Sequence, residues 1–467
     1  MTSPESTSTQ QRAALLMVWL SAFSTPLLLS AANVALPHIA LDLHLTAVEL
    51  TWIPLAYLLA AAMFVLICGR VADNIGRKRV FLIGTAGLAI SSLFAAWAPN
   101  GIALLVGRFA QGVFTAAVYA TQMAIVSSVF PPARRGQVIG LTISSIYFGL
   151  TAGPALAGWL LEVSGWRACM LVQVPFALGT LLAARMRVRD EWKADERAPL
   201  DALGSAIYMA ALAALLVGAS SVPAAWAWVL VALGIAATVV FVMVERKVAH
   251  PIFDLNLFFT NRVFGMSCFA SFLMYTATYA NVVLVALYLQ YLRAIPPGKA
   301  GLIMIAQPLA MALFSPLAGK LSDRIEPRVL ASIGMGFTVL GLIVLSTLTQ
   351  QSSTATLVFA LAVTGVGFGL FSAPNTNAIM SSVDKRHYGS ANSKVAVMRL
   401  LGQMCSMGVI AVAFALMLGP VAITPERYPA LTAALRLSYF VAIGLCVPAI
   451  FLSLARGSVH APKVTAR

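Results

Sequence analysis

Long apolar runs recur along the whole chain and constrain its fold more than any other feature. Hydrocarbon about 30 Å thick is crossed by a helix of roughly 20 apolar residues. Backbone amide groups find no hydrogen-bonding partner in lipid, so each run is predicted to be a helix. The sequence thus predicts an all-α membrane protein with fourteen spans, at residues 13–36, 49–69, 80–98, 102–125, 137–161, 168–186, 203–220, 225–244, 263–290, 300–319, 329–348, 355–380, 390–417 and 430–455.

The charged residues are few and mostly basic, and their placement excludes several classes of protein. Only 10% of the residues are charged, whereas a soluble domain carries about 25%. The net charge of +15 comes from bases in short connections between apolar runs, so we expect no nucleic-acid partner. The 5 cysteines are widely spaced in or beside apolar runs, which indicates neither a disulfide framework nor a metal site, and no cofactor is expected.

Lysine and arginine mark one side of the membrane. They concentrate in alternate connections, at residues 76–79, 131–136, 185–197, 245–247, 322–328 and 384–386. Basic loops stay in the cytoplasm, so fourteen spans predict a multi-pass protein of the plasma (inner) membrane with both termini cytoplasmic. The first span lacks a small-residue cleavage site, so it is predicted to be an uncleaved helix rather than a signal peptide.

A charged stretch between the second and third spans recurs in the second half of the chain. The first copy, "GRVADNIGRKRV", covers residues 69–80, and the second, "GKLSDRIEPRVL", covers residues 319–330. We call them the first and second repeated loops. Glycine, a base and aspartate recur at matching positions, although Glu326 and Pro327 replace Gly76 and Arg77. Two such loops in two six-span blocks indicate an internal duplication.

The duplication predicts how the chain is divided. Two six-helix bundles should be separated by a linker whose two additional spans pack outside the bundle core. The expected segments are a cytoplasmic tail at 1–12, an N-terminal bundle at 13–186, a linker at 187–262 with spans 203–220 and 225–244, a C-terminal bundle at 263–455 and a cytoplasmic tail at 456–467.

The first repeated loop resembles the loop between spans two and three of the major facilitator superfamily. The resemblance implies two six-helix bundles around a central site, here with two additional spans. It also implies that the loop closes the cytoplasmic gate when the carrier is open to the outside. In that role Asp73 contacts the N-terminus of a neighbouring helix. The implied gating residues are Gly69, Asp73, Gly76, Arg77, Lys78, Arg79, Gly319, Asp323 and Arg324.

Further motifs resemble the fourteen-span drug:proton antiporter branch of that superfamily. They include "NVALPHI" from Asn33, "VERKVAHPIFDLNLF" from Val244 and "GRFAQG", which carries Arg108 and Gln111. The resemblance extends to the fifth-span pattern of exporters, although Ala157 stands where a second glycine is usual. That pattern implies a smooth helix face for close packing, formed by Gly149, Gly153, Pro154 and Gly158.

The charges inside the spans depart from that branch. Leu28 stands where the branch typically has an acidic residue, and none of the 16 acidic residues lies deep within a predicted span. Any coupled proton is therefore expected on Glu49, on Glu162 or on the substrate itself. Arg108 and Arg399 are the predicted intramembrane bases, and such bases need a partner or a wet cavity. Each is either structural or handles substrate or protons.

Polar side chains within the spans predict a broad substrate cavity, although each could instead make an interhelical hydrogen bond. The candidates are Asn33, Tyr57, Gln122, Tyr147, Tyr275, Asn281, Gln307, Asn375 and Asn377. The sequence thus predicts a monomeric, proton-linked secondary exporter of small amphipathic organic compounds, surrounded by membrane lipid. The alternatives are export of a specific neutral or anionic metabolite without conventional proton antiport, or a non-transporting sensor. The chain shows no nucleophile–base or metal constellation, so it is not expected to be an enzyme.

Overall fold

The structure is a computed structural model that describes residues 8–130, 132–188, 190–193, 199–249, 251–253, 255–322, 324–383 and 388–457. Its described residues are helical and contain no strand. Fourteen helices are long and apolar enough to cross a membrane, from Gln10–Asp42 to Pro425–Ala455. The predicted fold class and the predicted number of spans are therefore confirmed.

The helices before the second half of the chain follow the predicted runs closely. They are α1 (Ser8–Asp42), α2 (Ala47–Ile75), α3 (Arg77–Ala96), α4 (Gly101–Val129), α5 (Pro132–Ser164), α6 (Trp166–Leu171), α7 (Gln173–Arg187), α8 (Ala202–Ser220), α9 (Ala225–Glu245) and the short α10 (Asn256–Thr260).

The second half is divided into more pieces. Its elements are α11 (Arg262–Thr278), α12 (Asn281–Leu287), a π-helical turn (Tyr288–Leu292), α13 (Pro297–Met304), α14 (Ala306–Leu321), α15 (Pro327–Ser346), α16 (Thr354–Ser381), α17 (Tyr388–Met417), a 3₁₀ turn (Pro425–Arg427) and α18 (Tyr428–Ala455).

Two predicted spans are interrupted for the same reason. The run at 168–186 breaks after Leu171, and the run at 300–319 breaks after Met304. Pro175 and Pro308 each lie four residues beyond these ends. Proline has no backbone N–H, so neither can donate to the carbonyl four residues earlier, and the regular helix is interrupted there.

Polar residues set the start of several helices. At α2, Thr46 and Glu49 form a reciprocal capping box in which each side chain accepts from the other residue's backbone N–H. A side-chain oxygen of the N-cap residue likewise accepts a backbone N–H at four further helices, from Asn100, Asp201, Asn261 and Ser353. These contacts satisfy donors that a helix otherwise leaves unpaired at its first turn.

The described helices group into two compact units. One unit comprises Met1–Asp254, Ala280–Ile305 and Met407–Leu435. The other comprises Leu255–Tyr279, Ala306–Ser406 and Arg436–Arg467. The unit boundaries cross the predicted bundle boundaries, because parts of the second-half helices pack with the first-half helices. The division into two six-helix bundles stays a prediction.

Each unit contains the same close approach of two helices. A Cβ atom on Gly112 of α4 would collide with the carbonyl oxygen of Tyr57 on α2. A Cβ atom on Gly365 of α16 would collide with the carbonyl oxygen of Gln307 on α14. Backbones can approach this closely only where a side chain is missing. The packing therefore repeats as an internal duplication predicts.

The first residues of the two repeated loops also have matching surroundings. The position of a Cβ on Gly69 lies 3.9 Å from the Cβ of Ala120 on α4. The corresponding position on Gly319 lies 3.8 Å from the Cβ of Ala373 on α16. Both loops thus leave their helix at an equivalent point of contact with the helix beside it.

Candidate functional site

The first repeated loop is a sharp turn held by an ion pair. Gly76 has a φ of +128° and separates α2 from α3. The Arg77 side chain donates to Oδ1 of Asp73 through Nε at 3.1 Å and through Nη2 at 2.9 Å. Its Nη1 also donates to Oγ of Ser128 on α4 at 2.8 Å. Asp73 therefore orients Arg77 across the turn and onto α4.

The linker that follows α7 caps this turn. The Glu191 carboxylate accepts the backbone N–H of Lys78 at 2.8 Å and that of Arg79 at 3.2 Å. A carboxylate at a helix N-terminus is stabilised by the free N–H groups and by the helix dipole. A Cβ on Gly76 would collide with the Glu191 side chain. Glycine is thus required at position 76 both for its φ and for the space that Glu191 occupies.

Two further hydrogen bonds hold the linker to the same turn. The backbone N–H of Arg77 donates to the carbonyl oxygen of Trp192 at 2.7 Å. The ammonium group of Lys78 donates to the carbonyl oxygen of Val188 at 2.7 Å. Val188 and Trp192 also pack with an apolar cluster that includes Phe81 of α3. Val188, Glu191 and Trp192 lie in the predicted linker, and no sequence pattern indicated that the linker binds the turn.

The second repeated loop lacks such a cap among the residues that the structure describes. Glu326 takes the place of Gly76 as N-cap residue, and α15 begins with Pro327. Gly319 lies near the end of α14, and Arg324 is exposed. The predicted gating residue Asp323 lies outside the described residues.

Arg108 is a completely buried strut between helices. Its exposure is 0%, its Nε donates to the carbonyl oxygen of Ile53 at 3.2 Å, and its Nη1 donates to Gln111 Oε1 at 2.6 Å. Gln111 in turn donates to Oγ of Ser92 at 2.9 Å. The guanidinium carbon lies 4.7 Å from the centre of the Tyr57 ring. This geometry ties α2, α3 and α4 together. Of the two roles predicted for Arg108, it fits the structural one rather than the handling of substrate or protons.

The fifth-span glycines allow α5 to approach two other helices. A Cβ on Gly149 would collide with the Phe23 carbonyl oxygen on α1, and one on Gly153 would lie 2.5 Å from the Cβ of Ser30. Nearer the end of α5, a Cβ on Gly158 would collide with the carbonyl oxygen of Pro297 on α13.

Helix α13 meets α5 in the same way from its own side. A Cβ on Gly301 would collide with the carbonyl oxygen of Pro154. Helices α5 and α13 therefore touch backbone to backbone, with no side chain between them at these points.

The predicted cavity residues of the first unit are largely buried. Tyr57, Asn33 and Asn281 are 0%, 2% and 1% exposed, and Tyr147 is half-buried. Gln122 Nε2 donates to the α1 groups Val18 O, at 3.2 Å, and Ser21 Oγ, at 3.3 Å. Gln122 therefore makes the interhelical hydrogen bonds that the sequence analysis kept as its alternative role.

The second unit repeats this amide contact and adds a charge to it. Asn375 Nδ2 donates to the α11 groups Ser267 O, at 3.1 Å, and Ser271 Oγ, at 2.8 Å. Its Oδ1 accepts a hydrogen bond from Nη1 of Arg456, which also donates to Oγ of Ser267 at 3.0 Å. An amide on the fourth span, and another on the twelfth, thus clamps the first span of its own half.

Arg456 is a buried base that the sequence analysis assigned to the C-terminal tail. Its exposure is 1%, and its Nε and Nη2 atoms have no hydrogen-bond partner. Burial lowers the pKa of Arg456 to about 10, so it remains charged at neutral pH. The only sequence signal was its position directly after the last apolar run, where an arginine ordinarily turns into the cytoplasm.

Arg399 lies beside aromatic rings in the same unit. Its Nη2 donates to Oγ1 of Thr376 at 3.0 Å, and its guanidinium carbon lies 5.7 Å from the centre of the Tyr275 ring. Tyr275 contacts Phe368 edge to face, with ring centres 5.2 Å apart. The geometry combines a half-buried cation with an aromatic wall.

The two remaining polar candidates of the second unit, Gln307 and Asn377, lie on α14 and α16. Gln307 is 8% exposed, and its carbonyl oxygen faces Gly365. Asn377 Nδ2 donates to Ser322 Oγ at 3.0 Å, next to the second repeated loop. Asn377 therefore ties α16 to the end of α14.

Comparisons with known proteins agree with this architecture. The sequence pattern of the Major Facilitator Superfamily matches residues 18–201 and 267–466, on either side of a stretch that contains α8 and α9. A solved structure titled "Structural insights into substrate recognition in proton dependent oligopeptide transporters" has a TM-score of 0.63 and 15% identity. The match covers 96% of this chain and 98% of the solved chain, which shows a shared fold.

Named relatives are transport proteins of bacteria. Multidrug resistance protein Stp of Mycobacterium tuberculosis (strain CDC 1551 / Oshkosh) is 31% identical over 81% of this chain and 71% of its own length. Riboflavin transporter RibZ of Clostridioides difficile (strain 630) is 26% identical over 94% of this chain and 96% of its own length. The chain belongs to the Major Facilitator Superfamily, as a multi-pass membrane transporter similar to multidrug exporters and not an enzyme.

Proposed function

We propose that the chain exports small amphipathic organic compounds across the plasma membrane by alternating access, as a monomer with both termini cytoplasmic. The observation that carries the proposal is the close contact of α5 with α1 and α13 through Gly149, Gly153 and Gly158. Helices that meet through their backbones can rock against each other without disengaging interlocked side chains. The resemblance of this spacing to the exporter motif favours export over import.

Alternating access needs a second contact that opens when the first repeated loop closes. Glu162, near the end of α5, accepts the backbone N–H of Gly298 in the first turn of α13 at 2.9 Å. This contact lies at the end of the helices opposite the first repeated loop, which the distribution of lysine and arginine assigns to the outside. Outward opening therefore requires the Glu162–Gly298 bond to break.

The two edge carboxylates proposed as proton carriers already have structural contacts. Glu49 belongs to the capping box of α2, and Glu162 caps α13. Of the two, Glu162 fits proton linkage better, because its partner lies on another helix that must move away. Protonation from the outside would weaken its hold on Gly298 and favour the outward-open state.

The charges point to neutral or anionic substrates. Arg399 and Arg456 lie within the second unit, and neither forms an ion pair among the described residues. Positive charge within low-dielectric walls attracts anions and repels cations. Leu28 stands at the usual acidic position, so that position supplies no negative charge to bind a cation. A second candidate, export of one specific anionic metabolite, is favoured by Arg399, a half-buried cation beside the Tyr275 ring.

Transport by purified protein in proteoliposomes tests the proposal. The panel should hold amphipathic compounds of similar size that are neutral, anionic, monocationic or dicationic, each with and without a proton gradient. We expect neutral and anionic compounds to be exported faster when the gradient is present. Robust export of a dicationic compound would contradict the charge argument, and no export of any member would contradict the function.

A variant of Arg399 separates the two substrate hypotheses. Arg399→Gln should reduce anion export about tenfold or more while neutral compounds are affected less, since one favourable charge interaction is lost. Arg185→Gln is the matched control, because Arg185 is exposed at the end of α7. If the two variants have equal effects on anion export, Arg399 does not contact the transported anion.

A further inference from the structure

The two additional spans each place a carboxyl group at the same end of the helix pair. Asp201 is the N-cap residue of α8, and its Oδ1 accepts the backbone N–H of Gly204 at 2.8 Å. Glu245 is the last residue of α9, and its Oε2 accepts the backbone N–H of Phe253 at 3.0 Å. Each carboxyl group therefore uses one oxygen to hold local backbone.

The remaining two oxygens face each other without a donor. Asp201 Oδ2 and Glu245 Oε1 are both buried and have no hydrogen-bond partner, and Glu245 as a whole is only 4% exposed. The position of a Cβ on Gly204 lies less than 3.0 Å from both atoms, so they are separated by no more than twice that distance. Buried acceptors without a donor are rare and costly in native proteins.

Among the described residues, no cation forms an ion pair with Asp201 or Glu245. The charged and titratable groups on the adjoining elements include Arg70 of α2, Tyr208 of α8, and Arg246 and Lys247 after α9. Arg70 donates to the carbonyl oxygen of Pro251, and Tyr208 donates to that of Ala62. The ion pairs among the described residues include neither Asp201 nor Glu245.

We propose that Asp201 and Glu245 bind one proton between them at neutral pH. An O–H on either carboxyl group donates to the free oxygen of the other, so a single proton taken from water satisfies both orphaned acceptors. The pair then carries one negative charge instead of two. Two carboxylates this close in a buried position cannot both remain ionised without a large repulsion.

The proton also links the additional spans to the first repeated loop. Glu245 holds Phe253, and Pro251, two residues away, accepts the Arg70 guanidinium at 2.7 Å. Arg70 is the second residue of that loop. Loss of the proton would drive the two carboxylates apart and shift Phe253, and with it the acceptor that holds Arg70. The pair is therefore a pH-sensitive connection between α8, α9 and α2, whatever compound is carried.

Thermal unfolding of the full-length protein in detergent tests the proposal. The folded state would bind one more proton than the unfolded state near neutrality, so stability must fall as pH rises. From about pH 5 to about pH 9 we expect the wild-type midpoint to fall by about 1–2 °C per pH unit within the titration range. Glu245→Gln and Asp201→Asn each supply a permanent N–H donor, so both should remove this component of the slope.

A matched control and a spectroscopic measurement make the test decisive. Glu426→Gln changes an exposed carboxylate outside the pair and should leave the pH slope as in the wild type. Infrared spectra at neutral pH should show the C=O stretch of a protonated carboxyl group, which the double variant Asp201→Asn/Glu245→Gln should lose. An unchanged pH slope in both single variants, or no such band in the wild type, would overturn the proposal. So would a midpoint that rises with Na⁺ replacing choline in the wild type but not in the double variant, because a metal ion would then occupy the proton's place.

Discussion

The two repeated loops begin their helices in different ways. Helix α3 starts with three consecutive N–H groups that are satisfied by Glu191 and Trp192, more than a hundred residues further along the chain. Helix α15 starts with Pro327, which has no N–H to satisfy, and Glu326 places its own negative charge at the N-terminus. The first loop therefore depends on the linker after α7, whereas the helix of the second starts with a proline and is tied instead to α18, where Ser453 Oγ donates to the carbonyl oxygen of Arg328 at 3.3 Å.

This difference indicates which loop is able to transmit a change. Moving the Glu191 segment exposes donors at α3 and removes the obstacle above Gly76, so the linker and the loop must move together. We infer that the duplicated sequence has kept two similar turns and that, among the described residues, the linker after α7 is coupled to the first of them.

The amide clamps provide a second comparison of the two halves. Gln122 and Asn375 hold equivalent backbone carbonyl and serine groups, but only Asn375 also accepts from a buried guanidinium. The second-half clamp thus supports a charge that forms no close ion pair among the described residues, with the Glu326 carboxylate acting on it only at longer range. Removing that clamp should be more costly than removing its counterpart.

Replacement of the two amides should give the largest difference in stability. Asn375→Leu leaves Arg456 buried with one acceptor fewer, so we expect a loss of about 3 kcal/mol, because the unmet desolvation cost is high for charged groups. Gln122→Leu should cost about 1 kcal/mol, since it removes hydrogen bonds between neutral groups. Chemical unfolding in mixed micelles measures both. Asn375→Asp keeps an acceptor for Arg456 and should recover most of the loss, and equal effects of the two leucine variants would refute the comparison.

Replacement of Gly76 should rank second. Gly76→Ala places a Cβ at φ +128° and drives it into Glu191, and we expect about 2 kcal/mol of destabilisation together with a large loss of transport. Gly165→Ala is the matched control, because Gly165 is also an N-cap with positive φ but has no atom within 4 Å of its Cβ position. The difference in unfolding midpoint between the two variants measures the collision alone. If Gly76→Ala is no less stable than Gly165→Ala, the Glu191 side chain moves aside at no measurable cost in stability.

Replacement of Glu191 should rank third. Glu191→Ala removes the cap from the N–H groups of Lys78 and Arg79, and caps are worth about 1 kcal/mol. Glu191→Gln keeps an acceptor but loses the charge, so its effect should lie between those of alanine and wild type. Asp190→Asn changes the adjacent carboxylate, which caps no helix, and should be neutral. Hydrogen exchange of the α3 amides provides a direct readout, and unchanged exchange in Glu191→Ala would contradict the capping role.

The fold could be predicted from the sequence because it depends on span length and on glycine. Apolar runs gave all fourteen helices, and the recurrence of the loop at Gly69 and Gly319 anticipated the repeated packing. The interruptions after Leu171 and Met304 follow from Pro175 and Pro308, which the apolar pattern alone does not register because each run stays apolar across its proline.

The contacts around the candidate sites depend on pairings that no periodicity encodes. Nothing in the pattern around Glu191 indicated that it would cap a helix formed at Lys78. Arg456 stands where a snorkelling arginine is expected, and only the arrangement of α11 and α16 shows that it turns inward to Asn375. No sequence pattern pairs Asp201 with Glu245, because their proximity arises from the packing of α8 against α9.

Replacement of Asp73 should have the smallest effect on stability and still separate the two loops by function. The Asp73 side chain is 41% exposed, and its pair with Arg77 spans a single helical turn, so Asp73→Ala should cost at most about 1 kcal/mol. Membrane abundance should stay near that of the wild type. The variant nevertheless frees Arg77 from its position across the turn, so the initial rate of export per folded protein should fall several-fold. Asp323→Ala, the counterpart in the second repeated loop, should reduce the rate less. If Asp73→Ala exports at the wild-type rate, the first loop serves only to orient the spans in the membrane. Equal losses in both variants would contradict the asymmetry between the loops.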